Sequence, residues 1–188
     1  MNKWKVAFIA LLIFVVAVVV YIIVMATSAT EDQQVPPVNT TTGSVLEIQT
    51  TTKEFELIAQ KYLADAVKNS PIPVEISVDD QMHLFAELSI LGVPIPIQLD
   101  FEPVVDEGNL RLLQKNVHVG KLNVPPSTIL KLVNDSVDFP SWIIVRPKNE
   151  EIYVDLSRLN IAQGNRVRAK EVDLAGDKII LELVIPTN

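Results

Sequence analysis

Hydrophobic and polar residues alternate with a period of two over much of the chain beyond residue 73, a pattern typical of strands with one buried face. The apolar positions of these segments are Val74, Ile76 and Val78; Met82, Leu84, Ala86, Leu88 and Ile90; Val93, Ile95, Ile97, Leu99 and Phe101; Leu110, Leu112, Val117 and Val119; Ile152, Val154 and Leu156; Val167 and Ala169; and Ile179, Leu181, Leu183 and Ile185. Turns are predicted at Leu91-Gly92, at 106–109 and at 175–177. The pattern therefore predicts an antiparallel sheet of about seven or eight strands.

Two segments have helical spacing instead. Residues 51–54 (TTKE) fit a capping box, and apolar side chains then recur three and four residues apart from Phe55 to Val67. A second helix is predicted to begin at Pro125-Pro126, which suit a first helical turn, and its apolar side runs from Ile129 to Val137. The predicted fold class is therefore α+β, with a strongly curved antiparallel sheet packed on two helices.

Two prolines mark one strand as an edge. Pro94 and Pro96 lie two residues apart, so their missing N–H groups face the same side of the strand. That side cannot form a complete ladder of hydrogen bonds. The strand at residues 93–101 is therefore predicted to be a protected edge over its first half.

The N-terminal segment from Val6 to Ala26 contains no charged residue, amide, glycine or proline. As a helix it would be about 31 Å long, against a hydrocarbon core of about 30 Å. Lys3 and Lys5 precede it and Glu31-Asp32 follows it, so the positive-inside rule places residues 1–5 in the cytoplasm. The pattern predicts a transmembrane helix. A cleaved secretory signal is the alternative, although its apolar part is usually only about 7–15 residues long.

Residues 27–44 (TSATEDQQVPPVNTTTGS) have few large apolar side chains, two adjacent prolines and a run of threonines, which predicts a linker. A loose coil of this length spans about 23 Å. The predicted organisation is a cytoplasmic tip (1–5), a transmembrane helix (6–26), a linker (27–44) and an extracytoplasmic α+β domain (45–188). The linker would hold this domain near the outer leaflet of a cell membrane.

The charge of the chain excludes one class of partner. Of the 16 Lys and Arg residues only Lys3 and Lys5 precede residue 27, whereas all 23 Asp and Glu residues follow it. Because an acidic domain lacks the basic surface that phosphates require, nucleic acid is not a predicted partner. The sequence contains no Cys, so neither a disulfide framework nor lipoprotein processing at cysteine is available.

The sequence contains no recognisable catalytic motif: no Cys nucleophile, no G-x-S-x-G elbow, no phosphate-binding glycine loop and no metal-ligand cluster. His83 and His118 each lie between apolar neighbours in a strand, so both are predicted on the polar face as solvent-exposed histidines. The acidic pairs Asp79-Asp80 and Asp106-Glu107 fall in turns, where such residues are common. We therefore predict no enzyme activity, no catalytic or metal-ligating residue and no cofactor.

The predicted sheet is wider than its helices can cover. Its strands, at about 4.8 Å spacing, extend over roughly 30 Å, whereas two helices of about 10 Å each cover about 20 Å. Either the sheet curls strongly over its helices, or part of its apolar face forms a groove that marks an interaction site; a filled core without a pocket is the alternative. The predicted ligand-lining residues are Leu84, Leu88, Ile95, Ile97, Leu99, Ile152, Val154 and Leu181.

Arg166, Arg168 and Lys170 are spaced two apart and form a basic row on one face of a strand. They are the predicted contacts for an anionic head group, such as a lipid phosphate or an anionic wall polymer. A solvated strand face is the other interpretation, favoured by Glu171 and Asp173 nearby.

Several segments carry a resemblance to a known family. They are IQTTTKEFELIAQKYL, VHVGKLNVPPSTIL, IYVDLSRL and KEVDLAGDKIILELVIP. Together with the apolar N-terminal segment they resemble the YpmS family, small single-span membrane proteins of low-GC Gram-positive bacteria. The resemblance covers essentially the whole chain, but it carries no motif with assigned chemistry and so implies no functional residue.

A more distant likeness concerns the order of elements. A capped helix, a long meander, the GKLNVP step at residues 120–125 and a closing pair of strands are similar to the tubular lipid-binding proteins and the LmeA-type phospholipid-binding proteins. In those proteins a highly curved sheet wraps a long helix and encloses acyl chains. The likeness implies an apolar groove for lipid.

These observations favour a membrane-anchored, non-enzymatic extracytoplasmic protein that binds phospholipid or a lipid-linked envelope precursor in an apolar groove. The bilayer itself is a predicted partner through residues 6–26. The alternative is a scaffold that docks another cell-envelope protein through the edge near Pro94–Phe101 or a helix face, without a ligand pocket. An enzyme is a third hypothesis, which a pocket with two carboxylates or a His with a carboxylate partner would favour.

Overall fold

A computed structural model describes residues 3–27, 35–36, 43–68, 70, 72–90, 93–120, 124–159, 161 and 164–186. The chain divides into two compact units, residues 1–31 and residues 32–188, and each is described by itself. The predicted turn at Leu91-Gly92, most of the predicted linker and residues 121–123 of the GKLNVP step lie outside the described residues.

The first unit contains helix α1 (Lys3–Thr27). Its described side chains run from Phe8 to Tyr21, and all of them are exposed. Within the described part of the chain, no helix was found with both the length and the apolarity needed to cross a membrane. Helix formation over residues 6–26 is confirmed, and the crossing of a membrane stays a prediction.

The second unit combines nine described strands with two helices. The strands are β1 (Gly43–Thr50), β2 (Val74–Val78), β3 (Met82–Ile90), β4 (Val93–Asp106), β5 (Asn109–Val119), β6 (Ile143–Arg146), β7 (Glu151–Val154), β8 (Arg166–Asp173) and β9 (Lys178–Pro186). The helices are α2 (Thr52–Ala66) and α3 (Pro126–Ser136), and short 3-10 turns occupy Pro147–Asn149 and Leu156–Arg158. All strand pairs are antiparallel, in a six-stranded sheet ordered β2-β3-β4-β5-β7-β6 and a three-stranded sheet ordered β1-β9-β8.

The predicted α+β class with antiparallel strands is confirmed, but the strands form two sheets, and two of them were not predicted. In β1 the apolar residues Val45, Leu46 and Ile48 do not alternate. In β6 the run Ile143–Val145 is continuously apolar and short. Strands were predicted from alternation with a period of two, which neither segment shows.

Strand β4 is the longest strand and shows where the edge lies. It pairs with β3 from Val93 to Phe101, whereas its pairing with β5 begins at Ile97. Among the described residues, Pro94 and Pro96 have strand partners on one side only, Ser89 and Glu87 of β3. Within that part of the chain, the predicted edge over the first half of this strand is confirmed.

The β4–β5 hairpin also joins the two sheets. Its two-residue turn, Glu107-Gly108, has φ values of 50° and 85°, as a type I′ turn requires. The Gly108 carbonyl accepts a hydrogen bond of 2.8 Å from the Ala169 N–H of β8. Carbons of the Arg168 side chain lie over Gly108, the nearest 3.2 Å from where a Cβ would stand, so the turn is held closely against β8.

Helix α2 is fixed to both sheets by polar contacts. The predicted capping box is present: Thr51 accepts from the Glu54 N–H, and Glu54 reaches back to the Thr51 N–H. The N–H of Thr52 donates to Asp177 in the β8–β9 turn at 2.7 Å. One turn on, the buried carboxylate of Glu56 accepts from the Val78 N–H of β2 at 2.7 Å and from the Ser77 hydroxyl at 3.2 Å.

Helix α3 covers the other part of the six-stranded sheet, in contact with β5 and β6. Its predicted apolar side is buried: Ile129, Leu130 and Val133 are at most 2% exposed. The face of the six-stranded sheet that carries the two helices and the core is called the inner face here, and the opposite face the outer face. One core cluster extends over the inner face and includes residues of α2, α3 and β8.

We predict that Glu56→Ala destabilises the second unit by about 1–3 kcal/mol, because the Val78 N–H loses its buried acceptor. The free energy of unfolding from urea titration measures the effect. Gln60→Ala, an exposed position on the same helix, is the matched control and should change it by less than about 0.5 kcal/mol. Equal effects of the two substitutions would contradict the assigned role of Glu56.

Candidate functional site

A cavity with an apolar lining lies beneath α2 in the second unit. Side chains from α2, the inner face of the six-stranded sheet, β8, β9 and the segment 139–161 enclose it. The lining residues are Phe55, Ile58, Ala59, Tyr62, Leu63, Ile76, Met82, Leu84, Leu110, Leu112, Phe139, Trp142, Ile143, Ile152, Val154, Leu156, Leu159, Ile161, Val167 and Leu181. None of them is charged, so the site favours hydrocarbon over any ionic group.

The cavity volume is about 150 Å³, which is below the ~300 Å³ lower end of typical ligand pockets. Cavities of roughly this size with aliphatic walls stay dry and accept a benzene-sized molecule. Two lining residues, Ile58 and Ile161, are 50% and 38% exposed. The cavity therefore reaches the surface beside them.

The structure brings together four of the eight predicted lining residues. Leu84, Ile152, Val154 and Leu181 all line the cavity. Ile97 and Leu99 are fully buried in the core away from it, and Ile95 is half-buried against the same core. The side chain of Leu88 lies outside the described residues. Their roles as ligand contacts stay predictions.

The predicted basic row lies on β8 with its residues on one face, because Val167 and Ala169 between them are buried. Lys170 occupies a β-bulge and forms an ion pair with Glu47 of β1. Arg168 lies opposite Glu182 of β9. Two of the three cations therefore face carboxylates of the same sheet, which reduces their attraction for an anionic head group; that contact stays a prediction.

A polar cluster on the outer face corrects the predicted environment of one histidine. His83 was predicted to be solvent-exposed, but its side chain is only 16% exposed. Its Nδ1 lies 2.7 Å from Asp100 and its Nε2 lies 2.9 Å from Asp79. His118, with a side chain 63% exposed, is a surface residue as predicted, 3.4 Å from Asp100. Alternation identified the face correctly, but it carries no information on the depth of a side chain within that face.

The electrostatics of this cluster favour a charged histidine. Carboxylates only accept hydrogen bonds, so both ring nitrogens of His83 fit the role of donor. Burial opposes protonation, but the hydrogen bonds and charges of Asp100 and Asp79 outweigh it and raise the pKa of His83 above its ordinary value. Burial favours the neutral form of Asp100, yet hydrogen bonds from His83 and Gln98 prevail and lower its pKa.

One group in the described part of the chain has the spacing of a metal site. Single ligand atoms of Asp79, Asp80 and His83 lie within 4.8 Å of one another. The two aspartates are exposed, and the available His83 nitrogen already bonds to Asp79. Because these groups satisfy one another, their arrangement is explained without a cation.

A second buried charge is structural. Glu151 is completely buried and accepts from Arg111 at 2.9 and 2.5 Å and from Arg146 at 2.5 Å. The Glu151 carboxylate raises the pKa of Arg111 further above its ordinary value. Both carboxylate oxygens are engaged by guanidinium groups. The triad therefore joins β5, β6 and β7 as a buried structural ion network.

A polar depression of about 540 Å³ lies at the C-terminal end of α3. Asn134, Asp138, Ser141 and Arg158 contribute its polar side chains. Arg158 is engaged by Asp155, whose Oδ2 lies 3.0 Å from its Nε. Its described lining includes no histidine and no pair of carboxylates, and it offers little apolar surface for a lipid chain.

Sequence reasoning missed the part of the lining that comes from residues 139–161. Phe139, Trp142, Ile143, Leu159 and Ile161 belong to short or irregular segments. Their one signal is composition: large apolar residues recur there without a helical or strand period. Such residues in a loop region indicate packing against a core.

We predict that Asp100→Asn lowers the pKa of His83, measured by NMR titration of the imidazole, because a charged acceptor is lost. A histidine whose folded-state pKa is raised stabilises the fold below its unfolded pKa of about 6.5, and the contribution disappears as the pH rises through the folded value. Asp100→Asn should therefore destabilise the protein more at about pH 5.5 than at about pH 9. Glu87→Gln, exposed on the same face of β3, is the control, and an unchanged His83 titration in Asp100→Asn would refute the prediction.

Comparison with known proteins identifies the family. The family model described as "Uncharacterized protein conserved in bacteria (DUF2140)" matches residues 2–185. The "Uncharacterized protein YpmS" of Bacillus subtilis (strain 168) is 26% identical over 180 residues, which cover 95% of each chain. No solved structure matches the chain. The predicted resemblance to YpmS is thus confirmed, and because the family model spans nearly the whole sequence, the chain belongs to the DUF2140 family.

Proposed function

We propose that this chain is a single-pass membrane protein whose extracytoplasmic domain binds the hydrocarbon part of a phospholipid or lipid-linked envelope precursor, without catalysing a reaction. The observation that carries the proposal is the cavity beneath α2, whose twenty lining residues include no charged side chain. Filling an apolar cavity with hydrocarbon restores dispersion contacts that its walls otherwise lack. A polar or charged ligand would lose its hydration there without compensation.

The cavity volume restricts the occupant. About 150 Å³ accepts a group the size of benzene, or about six carbon atoms. The occupant is therefore the end of one acyl or prenyl chain, and the head group of such a lipid remains outside the cavity. Ile58 and Ile161 line the cavity and are exposed, so the cavity is open to the surface beside them.

The proposed location rests on the N-terminal segment. Residues 6–26 are uninterruptedly apolar, and they lie within helix α1. Its described side chains are apolar on every face of the helix, as in a span surrounded by lipid rather than a helix packed on a domain. Lys3 and Lys5 orient the N-terminus toward the cytoplasm, which places the second unit in the cell envelope.

The outer-face histidine is the strongest argument for an enzyme, and its position weakens that argument. His83 has carboxylate partners, but Leu84 and Met82 beside it point to the cavity, on the opposite face of the sheet. A ligand in the cavity cannot reach the His83 ring. Among the described residues, the side chains that contact the ring nitrogens are those of Asp100, Asp79 and Gln98, none of which is a nucleophile that a histidine could activate. We therefore assign the cluster to holding the β2–β3 turn against β4.

The alternative of a docking scaffold has less support at the predicted edge. An added strand beside the first half of β4 would need N–H donors, and Pro94 and Pro96 cannot supply them. Their positions protect the edge against pairing rather than provide a site for it.

We predict that Ala59→Leu, which extends a side chain into the cavity from α2, weakens uptake of a fluorescent fatty-acyl probe about tenfold or more, equivalent to roughly 1.4 kcal/mol. Ala64→Leu makes the same change on the exposed side of the same helix and should leave uptake unchanged. Titration with the probe and native mass spectrometry of lipid-loaded protein both measure the effect. A purified chain that carries no lipid and takes up no probe would refute the proposed function.

We predict that the double substitution Val16→Lys and Val19→Lys releases the chain from the membrane fraction, because each lysine near the centre of a span costs about 2.5–3.5 kcal/mol. Alkaline extraction of membranes followed by immunoblotting measures the distribution. Ala64→Lys, at an exposed position of α2, should leave the chain in the membrane. If both variants sediment like the unmodified chain, α1 is not the anchor.

A further inference from the structure

Strand β1 carries exposed apolar residues that the cavity does not account for. Leu46 and Ile48 are 53% and 48% exposed, although both occupy an ordered strand. Single exposed apolar residues are common on protein surfaces, but a contiguous set is not. Whether these residues are contiguous follows from the register of β1 with β9.

The register joins them into a continuous surface. Leu46 lies opposite Leu183, Ile48 lies opposite Leu181, and the next pair on the same face places Ile185 opposite Ser44. Directly opposed residues of antiparallel strands have Cβ atoms about 4.5–5.5 Å apart. Leu46, Ile48, Leu183 and Ile185 therefore form one surface, called the apolar strip here.

The apolar strip leads to the cavity. Leu181, the cross-strand partner of Ile48, is one of the cavity-lining residues. On β8, Val167 lies opposite Leu183 and also lines the cavity. A chain of apolar side chains thus extends from the exposed edge of the three-stranded sheet to the interior site, on a single face of that sheet.

We infer that the apolar strip is the surface by which the domain contacts the outer leaflet, and that a lipid chain passes along it into the cavity. This inference rests on the proposed function. The first support is covalent: β1 is the first described strand after the apolar N-terminal segment, and it begins at Gly43, close in sequence to the end of α1 at Thr27. Even a fully extended chain of that length reaches at most about 55 Å. The strip therefore belongs to the element that is tethered closest to the membrane.

The second support is charge. The second unit is acidic, and an anionic leaflet would repel an unpaired carboxylate at the contact. Strand β1 contains one ionisable side chain, Glu47, which points to the opposite face from the strip and forms an ion pair with Lys170. The strand thus approaches lipid head groups without an uncompensated charge.

Position 45 supplies a matched control within the same strand. Val45 is 51% exposed, equal to its neighbours within a few per cent, but it lies on the face opposite Leu46 and Ile48. Because the chain has no Cys, single-cysteine variants Ile48→Cys and Val45→Cys can each carry one environment-sensitive fluorophore. If exposure alone determined lipid contact, the two labels would show equal quenching and equal spectral shifts. Contact through the apolar strip predicts stronger quenching and a larger blue shift for the label at Ile48→Cys.

The test uses the full chain reconstituted in phosphatidylcholine vesicles that contain a lipid with a quencher on its acyl chain. We expect the label at Ile48→Cys to be blue-shifted and quenched severalfold more than the label at Val45→Cys. Equal quenching at the two positions, or none at either, overturns the inference. The same measurement in nanodiscs with one chain each must retain the difference; its loss there would assign the strip to a second copy of this chain and also overturn the lipid contact.

A second measurement tests the apolar strip as the route of lipid entry separately from the cavity as the binding site. In Leu46→Asn/Ile48→Asn, transfer of a long-chain probe from vesicles should slow about tenfold, equivalent to roughly 1.4 kcal/mol, with Val45→Asn unchanged. Equilibrium uptake of a water-soluble short-chain probe should stay the same. If the unmodified chain takes up neither probe, the proposed function fails; if it takes up both while Leu46→Asn/Ile48→Asn transfers lipid normally, only this inference fails.

Discussion

The position of α2 is the constraint on which the rest of the second unit depends. Its first turn is held by Asp177, from the turn between β8 and β9, and its second turn is held by the Val78 N–H of β2 through Glu56. The N-terminal half of the helix is therefore fixed to the three-stranded sheet by its first turn and to the six-stranded sheet by its second. Since α2 also forms one wall of the cavity, these two polar contacts contribute to the placement of that wall.

The contacts of Thr52 and Glu56 give one physical reason why α2 does not pack more tightly onto the apolar face and fill the cavity. Glu56 is buried, and its carboxylate must retain its donors because a buried unpaired charge is costly. A shift of α2 relative to the two sheets would change the contact of Glu56 with Val78 or that of Thr52 with Asp177. The polar contacts thus oppose the hydrophobic tendency to close, and they stabilise an opening that hydrophobic packing alone would remove.

The sequence predicted the face of each strand better than the depth or the register of its side chains. His83 and Asp100 are the same number of residues before and after Leu91-Gly92. A two-residue turn there predicts that they lie opposite each other, and they are paired in this way. Counting outward from the turn in the same way gives the wrong partner in β5. The turn at Glu107-Gly108 would place Asp100 opposite Lys115, but the bulge shifts its partner to Asn116. The only trace of that bulge in the sequence is a change in the apolar positions of β5, from even at Leu112 to odd at Val117.

The cavity lining was less predictable, for a related reason. Periodicity identifies side chains that alternate along one regular element, and four of the residues it selected, Leu84, Ile152 and Val154 of the six-stranded sheet and Leu181 of β9, line the cavity. It also selected Ile97 and Leu99, which lie on the same face but under other parts of the core. Which inner-face residues meet empty space depends on where α2 and the segment 139–161 are placed, and those placements follow from contacts between residues far apart in the chain.

The small cavity and the proposed membrane anchor are physically consistent with each other. A lipid chain that leaves a bilayer exposes apolar surface to water at about 0.8 kcal/mol per CH₂, so only a short chain end can be extracted at moderate cost when the rest of the lipid stays in the leaflet. A cavity for about six carbon atoms matches such an end, and it does not match a lipid removed entirely. A protein that holds a chain end in this way must remain beside the bilayer, since diffusion away would require extraction of the whole molecule. Under the proposed function, the small volume beneath α2 therefore argues for a domain that samples lipids in place at the membrane, and against a soluble carrier that transports them.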